Sequence, residues 1–79
     1  MLGRDGCIYG IPAHADAVLK IDPQGGRVSL LGQGLVGSGR WKWHGAALGA
    51  DGAIYGIPCN AEGVLRIEPE TSQASSGGW

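Results

Sequence analysis

The chain has 79 residues, with seven acidic and six basic side chains and a formal net charge of −1. This length allows one small domain, and the balanced charge gives no support for a nucleic-acid or anionic-membrane partner. Its 16 glycines have no Gly-X-Y period, which excludes collagen, and they lie between short apolar runs, as turns do in an all-β chain.

A sequence duplication spans most of the chain. When the sequence is shifted by 46 residues, residues 2–23 align with residues 48–69, and 14 of these 22 positions are identical. We therefore predict about 1.7 copies of a 46-residue repeat within a single unit, residues 1–79. Repeat one covers residues 2–47 and repeat two covers residues 48–79.

The predicted elements follow in chain order. Asp5 and Gly6 form a dipeptide typical of a two-residue type I′ hairpin turn. A strand over IYGIP ends at Pro12, because proline cannot donate to a β-ladder. AVLKID and RVSLLG are the next strands, on either side of a tight turn that begins at Pro23. After a glycine-rich loop, WHGAALG is the next strand, residues of about 44–49 form a hairpin with AIYGIP (53–58), and GVLRIE is the last clear strand.

Four antiparallel strands per 46 residues is the spacing of a propeller blade. In blade order WHGAALG is the first strand, AIYGIP the second, GVLRIE the third and RVSLLG the fourth. Repeat one thus holds the second, third and fourth strands and the first strand of the next blade. Repeat two continues with a second, a third and a degenerate fourth strand. The predicted fold class is all-β, with antiparallel four-stranded propeller-like blades.

The fourth strand of repeat two, QASSGGW, has lost the apolar side chains of RVSLLGQ, so we expect it to be frayed or disordered. In the second strand, Ile54 and Gly56 face one way and Tyr55 and Ile57 the other, and both faces are expected to be covered. Tyr9, which matches Tyr55 in the repeat, is predicted to pack in the core or between blades. Because such repeats normally need three or more copies to cover their faces, we expect homo-oligomers or further blades of a longer parent, with a monomeric pair of sheets as the third alternative.

The chain has neither the basic and apolar regions of a signal peptide nor an apolar run near the ~20 residues of a membrane span. We expect a soluble protein, cytoplasmic by default. Cys7 and Cys59 have no CxxC spacing, so a zinc site is not expected. Both are predicted to be free, buried thiols.

The strings DGCIYGIP and DGAIYGIP, followed by VLKIDP and VLRIEP, resemble the blades of six- or seven-bladed propellers of the NHL-repeat, virginiamycin-lyase-like and gluconolactonase-like groups. The segment GQGLVGSGRWKWHGAALGADGAIYG resembles tachylectin-type five-bladed lectins more loosely. The first resemblance implies a propeller fold and, for gluconolactonase-like members, a metal held by Glu, Asn and Asp side chains. The second implies carbohydrate binding.

Because the strand directions alternate, three loops are expected at one end of the predicted blades. Loops at one end of a rigid β-framework are the usual site of function. The three loops are AHADA (13–17), GRWKWH (39–44) and CNAEG (59–63). His14 matches Asn60 in the repeat, and Asp16 matches Glu62. Their functional interpretation is a small-ligand or divalent-metal site, and the alternative is that they are solvated loop residues. We expect no resident metal and no cofactor.

Trp41, Lys42, Trp43 and His44 form the most distinctive local cluster. In an extended segment the two tryptophans share a face. Stacked tryptophans suit a sugar or aromatic ligand, to which Arg40 or Lys42 adds polar contacts. The alternative is that the tryptophans pack between blades or anchor the loop.

We expect a non-enzymatic propeller scaffold or recognition module, because no GxSxG motif, phosphate-binding loop or acid–base pair is specified. The alternatives are a carbohydrate-binding propeller lectin that uses the tryptophan-containing loop, a fragment of a metal-dependent lactonase or lyase, and a truncated product without activity. The expected partners are copies of the chain or further blades, and a small-molecule or glycan ligand, with no nucleic acid and no membrane.

Overall fold

The computed structural model describes residues 1–33, 36, 39–61 and 63–76. Within this part of the chain there are seven β-strands and no helix, and hence no helix that could cross a membrane. The prediction of an all-β fold is confirmed. The strands are β1 (Ile8–Gly10), β2 (Val18–Asp22), β3 (Arg27–Leu31), β4 (Trp43–Leu48), β5 (Ile54–Pro58), β6 (Leu65–Glu68) and β7 (Gln73–Ser76).

The strands form two antiparallel sheets, in which each strand pairs with its neighbours in the sequence. Sheet one has the order β1-β2-β3, and sheet two has the order β4-β5-β6-β7. The predicted hairpin of residues 44–49 with 53–58 is the β4–β5 pair, and β5 ends at Pro58 as expected. The antiparallel pairing is therefore confirmed, and it takes the form of two open sheets.

The two sheets share one pairing register. Tyr9 pairs with Lys20 in sheet one, and Tyr55 pairs with Arg66 in sheet two, 46 residues further along. The pairs between β6 and β7 also repeat those between β2 and β3 with a shift of 46 residues. For example, Leu19 pairs with Leu30, and Leu65 pairs with Ser76. Matching sequence positions therefore lie at matching places in the two sheets.

The core lies between the sheets, which bury opposite faces of the repeated unit. Sheet one contributes Tyr9 and Val18, whereas sheet two contributes Ile54, Leu65 and Ile67, and all five are fully buried in one cluster. Since successive side chains of a strand point to opposite faces, the face of Tyr9 and the face of Ile54 are different faces of that unit. We expected both faces of the second strand to be covered, but each sheet has only one covered face. The reason is that two stacked sheets share one core and leave two outer faces.

The Asp-Gly turns correct the prediction of type I′ geometry. A type I′ turn needs positive φ at both central residues, but φ is positive at Gly6 (85°) and not at Asp5. The N–H of Gly6 donates to the carbonyl of Gly3 (3.1 Å), and the N–H of Gly3 donates to the carbonyl of Cys7 (2.9 Å), so the loop has three residues, 4–6. The Asp5 carboxylate accepts the N–H of Cys7 (3.1 Å), which holds the aspartate outside the left-handed region.

Strand β7 overturns the expectation that the end of the chain is frayed, as far as Ser76. Gln73–Ser76 pairs along its whole length with Leu65–Glu68, because the β-ladder uses backbone groups and needs no apolar side chains. Ala74 is buried and fills the place that Val28 has in repeat one. Residues 77–79 lie outside the described residues.

Both cysteines are free. Cys7 is buried as predicted, and burial, together with the nearby Asp5 carboxylate, raises the pKa of its thiol. The prediction of a buried thiol is wrong for Cys59, which is exposed because it follows Pro58 into a loop at the end of sheet two.

Candidate functional site

The three predicted loops come together at one end of the molecule, and we call this end the rim (residues 13–17, 39–43, 59–61 and 63). The backbone of residues 41–42 joins the loops of the two repeats. The N–H of Lys42 donates to the carbonyl of Ala13 (3.1 Å), and the carbonyl of Lys42 accepts the N–H of Cys59 (2.8 Å). The N–H of Asn60 donates to the carbonyl of Trp41 (3.0 Å). Glu62 lies outside the described residues.

The side chain of Lys42 is buried, with 4% of the residue exposed. Its ammonium donates to the carbonyls of Ala13 (3.3 Å), Ala15 (2.7 Å) and Gly39 (2.9 Å). A lysine ammonium has three donors, and a buried charge is tolerated only when it is hydrogen-bonded. Lys42 therefore fastens two rim loops to each other. Because all three donors of its ammonium are used in this way, we no longer expect Lys42 to contact a ligand.

Trp41 and Trp43 lie in different environments, which corrects the expectation that they share a face. Trp41 has a φ of 51°, and this left-handed conformation interrupts the extended segment that the expectation assumed. Trp43 is buried in the core, and its indole N–H donates to the carbonyl of Gly63 (3.0 Å). Trp41 is 56% exposed. Trp43 is an anchor of the rim, and Trp41 is the aromatic surface that the rim presents.

Trp41 and His14 contact each other twice. Their rings meet edge to face, with centroids 4.5 Å apart and an interplanar angle of 82°. The N–H of Trp41 donates to Nδ1 of His14 (3.1 Å), so Nδ1 is an acceptor and the proton of the neutral ring lies on Nε2. The structure thus joins two residues that the sequence analysis had singled out separately, one from each of two loops.

The other candidate residues are exposed and contribute less to the shape of the rim. Asn60 donates from Nδ2 to the carbonyl of Arg40 (3.2 Å), so Asn60 and His14, which match in the repeat, both bond to the same connecting segment. Asp16 and His44 are exposed. Among the described residues, no group of three or more His, Cys, Asp and Glu side chains is arranged to hold a metal ion.

An open depression adjoins the rim. Its lining includes Arg40, Trp43, Asn60, Ala61 and Ser76. The depression combines an apolar floor with an amide and a guanidinium at its edge, which is the mixture that small polar ligands use.

The opposite end of the molecule holds a repeated contact that the sequence analysis missed. The hydroxyl of Tyr9 donates to Asp5 (2.6 Å), and the hydroxyl of Tyr55 donates to Asp51 (2.5 Å). Each aspartate also accepts the backbone N–H two residues after it. The signal in the sequence is the spacing Asp-x-x-x-Tyr, which occurs in both repeats; we call this arrangement the Asp–Tyr clasp.

The clasps change the acidity of their members. Burial raises the pKa of Asp5, but the hydrogen bonds from Tyr9 and Cys7 outweigh it and hold this pKa below its usual value. The hydrogen bond from Tyr55, followed by that from Ala53, lowers the pKa of Asp51. Burial and the bond to Asp5 raise the pKa of Tyr9. Both aspartates are thereby kept ionised at neutral pH.

A charged cleft lies between the two clasps, lined by residues that include Arg4, Asp51, Arg66 and Glu68. Arg66 contacts Asp51 (3.4 Å) and Glu68 (3.1 Å), and its Nε donates to the hydroxyl of Tyr55 (3.2 Å). The hydrogen bond to Tyr55, followed by that to Glu68, raises the pKa of Arg66. Arg66, Asp51 and Glu68 are thus engaged with one another, and the rim is the better candidate for a ligand site.

Comparison of the chain with protein-family models, with curated proteins and with solved structures gave no match. Two features of this chain remain as candidates for a functional surface: the rim with its exposed tryptophan, and the outer faces of the two sheets.

Proposed function

We propose that this chain is a non-enzymatic scaffold built from propeller-like blades, which presents the rim for recognition of a ligand. The common pairing register at an offset of 46 residues supports the interpretation of the two sheets as copies of one blade unit. The positions of the loops support a binding role, because all three meet at one end of a rigid β-framework.

One observation carries the proposal: the rim is held rigid by the buried ammonium of Lys42 while Trp41 remains exposed. An aromatic surface that is fixed before binding loses little conformational entropy when a ligand arrives. Tryptophan is also among the residues that contribute most to the binding energy of an interface.

A carbohydrate is the ligand class that the exposed tryptophan favours. The apolar face of a sugar ring can stack on an indole, while polar groups nearby bond its hydroxyls. His14 and Asn60 lie beside Trp41 and supply such groups. A glycan-binding module is therefore the second, more specific form of the proposed function.

The test is binding of the purified chain to a glycan array, followed by titration of any glycan that binds. Removing the indole by Trp41→Ala is expected to weaken binding by about 2 kcal/mol, or roughly 30-fold, as for an aromatic anchor. Leu48→Ala is the control, because Leu48 is an exposed apolar side chain at the end of β4 that lies away from the rim.

We expect Leu48→Ala to retain the affinity and Trp41→Phe to lose only part of it. An array without any bound glycan would remove the carbohydrate form of the proposal. Equal affinities of Trp41→Ala and the unmodified chain would show that the rim is not the binding site.

A further inference from the structure

The outer face of sheet one, which points away from the core, is apolar and exposed. We call it the open face, and its residues are Leu2, Ile8, Leu19, Ile21, Val28 and Leu30, which the pairing places side by side. Ile8 is 42% exposed, Val28 67% and Leu30 53%. A contiguous apolar patch of this kind on a small protein marks an interaction site.

The chain itself shows what covers such a face. The residues of sheet two that match Ile8 and Leu19 are Ile54 and Leu65, and both are 0% exposed. They are buried because the Tyr9 face of sheet one packs on them in a single core. Lys20 of that face also donates to Ser72 in the turn between β6 and β7 (2.7 Å), which adds a polar contact to the same packing.

The open face is more apolar than its covered counterpart. Positions 74 and 76 of sheet two are Ala and Ser, whereas the matching positions of sheet one are Val28 and Leu30. Burying these larger side chains stabilises an interface by about 25 cal/mol per Å² of apolar surface. A surface that is buried in sheet two at Ile54, Leu65, Ile67 and Ala74 is therefore present in sheet one with larger side chains at two positions and with more of it exposed.

The complementary face is also present on each chain. Sheet two carries Tyr55, Ile57, Arg66 and Ser75 on its outer side, and we call this the Tyr55 face. Ile57 is 53% exposed, whereas its counterpart Ile11 packs against the core. Each chain thus carries the open face on sheet one and the Tyr55 face on sheet two.

We propose that a second copy of this chain covers the open face with its Tyr55 face, in the arrangement by which the Tyr9 face covers sheet two within one chain. This inference rests on the proposed scaffold, whose blade-like units it stacks. Because two different faces meet, the contact is heterologous, and it continues into a closed ring or an open stack.

The experiment measures the solution mass of the full chain by light scattering over a concentration series. The unmodified chain is expected at multiples of 8.1 kDa. A carboxylate placed in either face desolvates on docking, so Val28→Glu in the open face and Ile57→Glu in the Tyr55 face are each expected to be monomeric. Both positions are exposed within the chain, so the fold is expected to survive, which circular dichroism checks.

Gln24→Glu is the matched control. It makes the same change of charge in the exposed turn between β2 and β3, and the matching residue, Glu70, stays exposed beside the covered face of sheet two. We expect this variant to keep the mass of the unmodified chain. Leu30→Glu replaces Val28→Glu if the latter fails to fold.

Mixing the two monomeric variants distinguishes head-to-tail contact from other arrangements. Val28→Glu retains an intact Tyr55 face and Ile57→Glu retains an intact open face, so the mixture is expected to form a 1:1 complex that neither variant forms alone. Association of Ile57→Glu with itself would instead mean that open faces pair with each other, and it would overturn the proposal.

Failure of this inference is distinguishable from failure of the proposed function. A chain that is monomeric throughout the concentration series, yet still binds a glycan through Trp41, overturns the stacking alone. Conversely, Trp41→Ala is expected to keep the oligomeric mass, because Trp41 lies on the rim and outside both faces.

Discussion

At the scale of single residues, Tyr9 and Tyr55 make the same contact in two environments. Each hydroxyl donates to the aspartate four residues before it, but Tyr9 is fully buried and Tyr55 is partly exposed. Each ring also lies against a glycine. A Cβ at Gly3 would come within 2.8 Å of Tyr9 Cε1, and one at Gly49 within 2.7 Å of Tyr55 Cε1. The Leu-Gly-x-Asp-Gly segment of each repeat is therefore shaped by the tyrosine that follows it.

The repeat provides a matched pair of variants for the clasp. Tyr9→Phe removes the partly buried hydrogen bond from the Tyr9 hydroxyl to the Asp5 carboxylate, and we expect it to lower the free energy of unfolding by about 1.5–3 kcal/mol. Tyr55→Phe removes the corresponding bond to Asp51, together with the bond that the Tyr55 hydroxyl accepts from Arg66, at a more hydrated place, and is expected to cost about 1 kcal/mol or less. Urea denaturation followed by circular dichroism measures both values, and equal losses would contradict the role that we give to burial.

The same pair has a defined dependence on pH. The folded pKa values of Asp5 and Asp51 are lowered, so the clasps contribute stability above the unfolded pKa of about 3.9 and lose it as the pH falls through the folded values. The loss caused by Tyr9→Phe is therefore expected to shrink in acid, where Asp5 is protonated. A loss that stays constant from neutral pH to acid would show that the ionised carboxylate is not the acceptor that matters.

At the scale of elements, the turns and edge strands show that backbone hydrogen bonds can fix the local structure where the side chains do not specify it. Both Asp-Gly turns have positive φ at the glycine, and both leave the aspartate carboxylate available for its tyrosine. Strand β7 forms although three of its four side chains are polar, because its partner β6 supplies a full set of backbone groups. The two sheets therefore share one pairing register, although the exposed side chains of β7 differ from those of β3.

A glycine substitution separates backbone strain from crowding in the first turn. Gly6 has a φ of 85°, and a Cβ there would meet nothing within 4 Å, so Gly6→Ala is expected to cost about 1–2 kcal/mol through backbone strain. Gly45→Ala is the control, because Gly45 has the same open surroundings without positive φ. It is expected to change stability by less than about 0.5 kcal/mol. Thermal unfolding compares the two, and equal effects would contradict the strain argument.

At the scale of the whole molecule, two sheets bury one face each and leave one face each in solvent. The core therefore takes the Tyr9 face from one repeat and the Ile54 face from the other. A chain of this size gains limited stability from a single core. Covering the open face by a second copy would add a second core of the same kind, so stability and association are expected to be linked.

Linkage of folding to association makes the melting temperature depend on protein concentration. We expect the melting temperature of the unmodified chain to rise with concentration, because folded chains are withdrawn into the associated state. Val28→Glu, which cannot dock, is expected to melt at one temperature throughout the same series. Parallel rises in both proteins would contradict the assignment of the contact to the open face.

Particular residues show how far prediction from the sequence reached. The strands around Tyr9 and Tyr55 and the meeting of three loops near Trp41 followed from periodicity and strand direction. The separation of Trp41 from Trp43 did not, because it depends on a positive φ at Trp41 that hydrogen bonds to two other loops hold in place. The structural role of Lys42 was missed for the same reason, since its three acceptors come from residues distant in the sequence or in a turn.

The duplication, the all-β class and the pairing of adjacent strands can be read from the amino-acid order, because these features depend on local alternation, turn residues and backbone bonds between neighbours. Which face of each repeat is buried depends instead on how the two sheets pack. The aligned positions carry nearly the same side chains, so the sequence does not indicate which of Ile8 and Ile54 is buried in the core. One becomes exposed and the other buried because two sheets can stack against each other only once, so the open face of sheet one stays exposed.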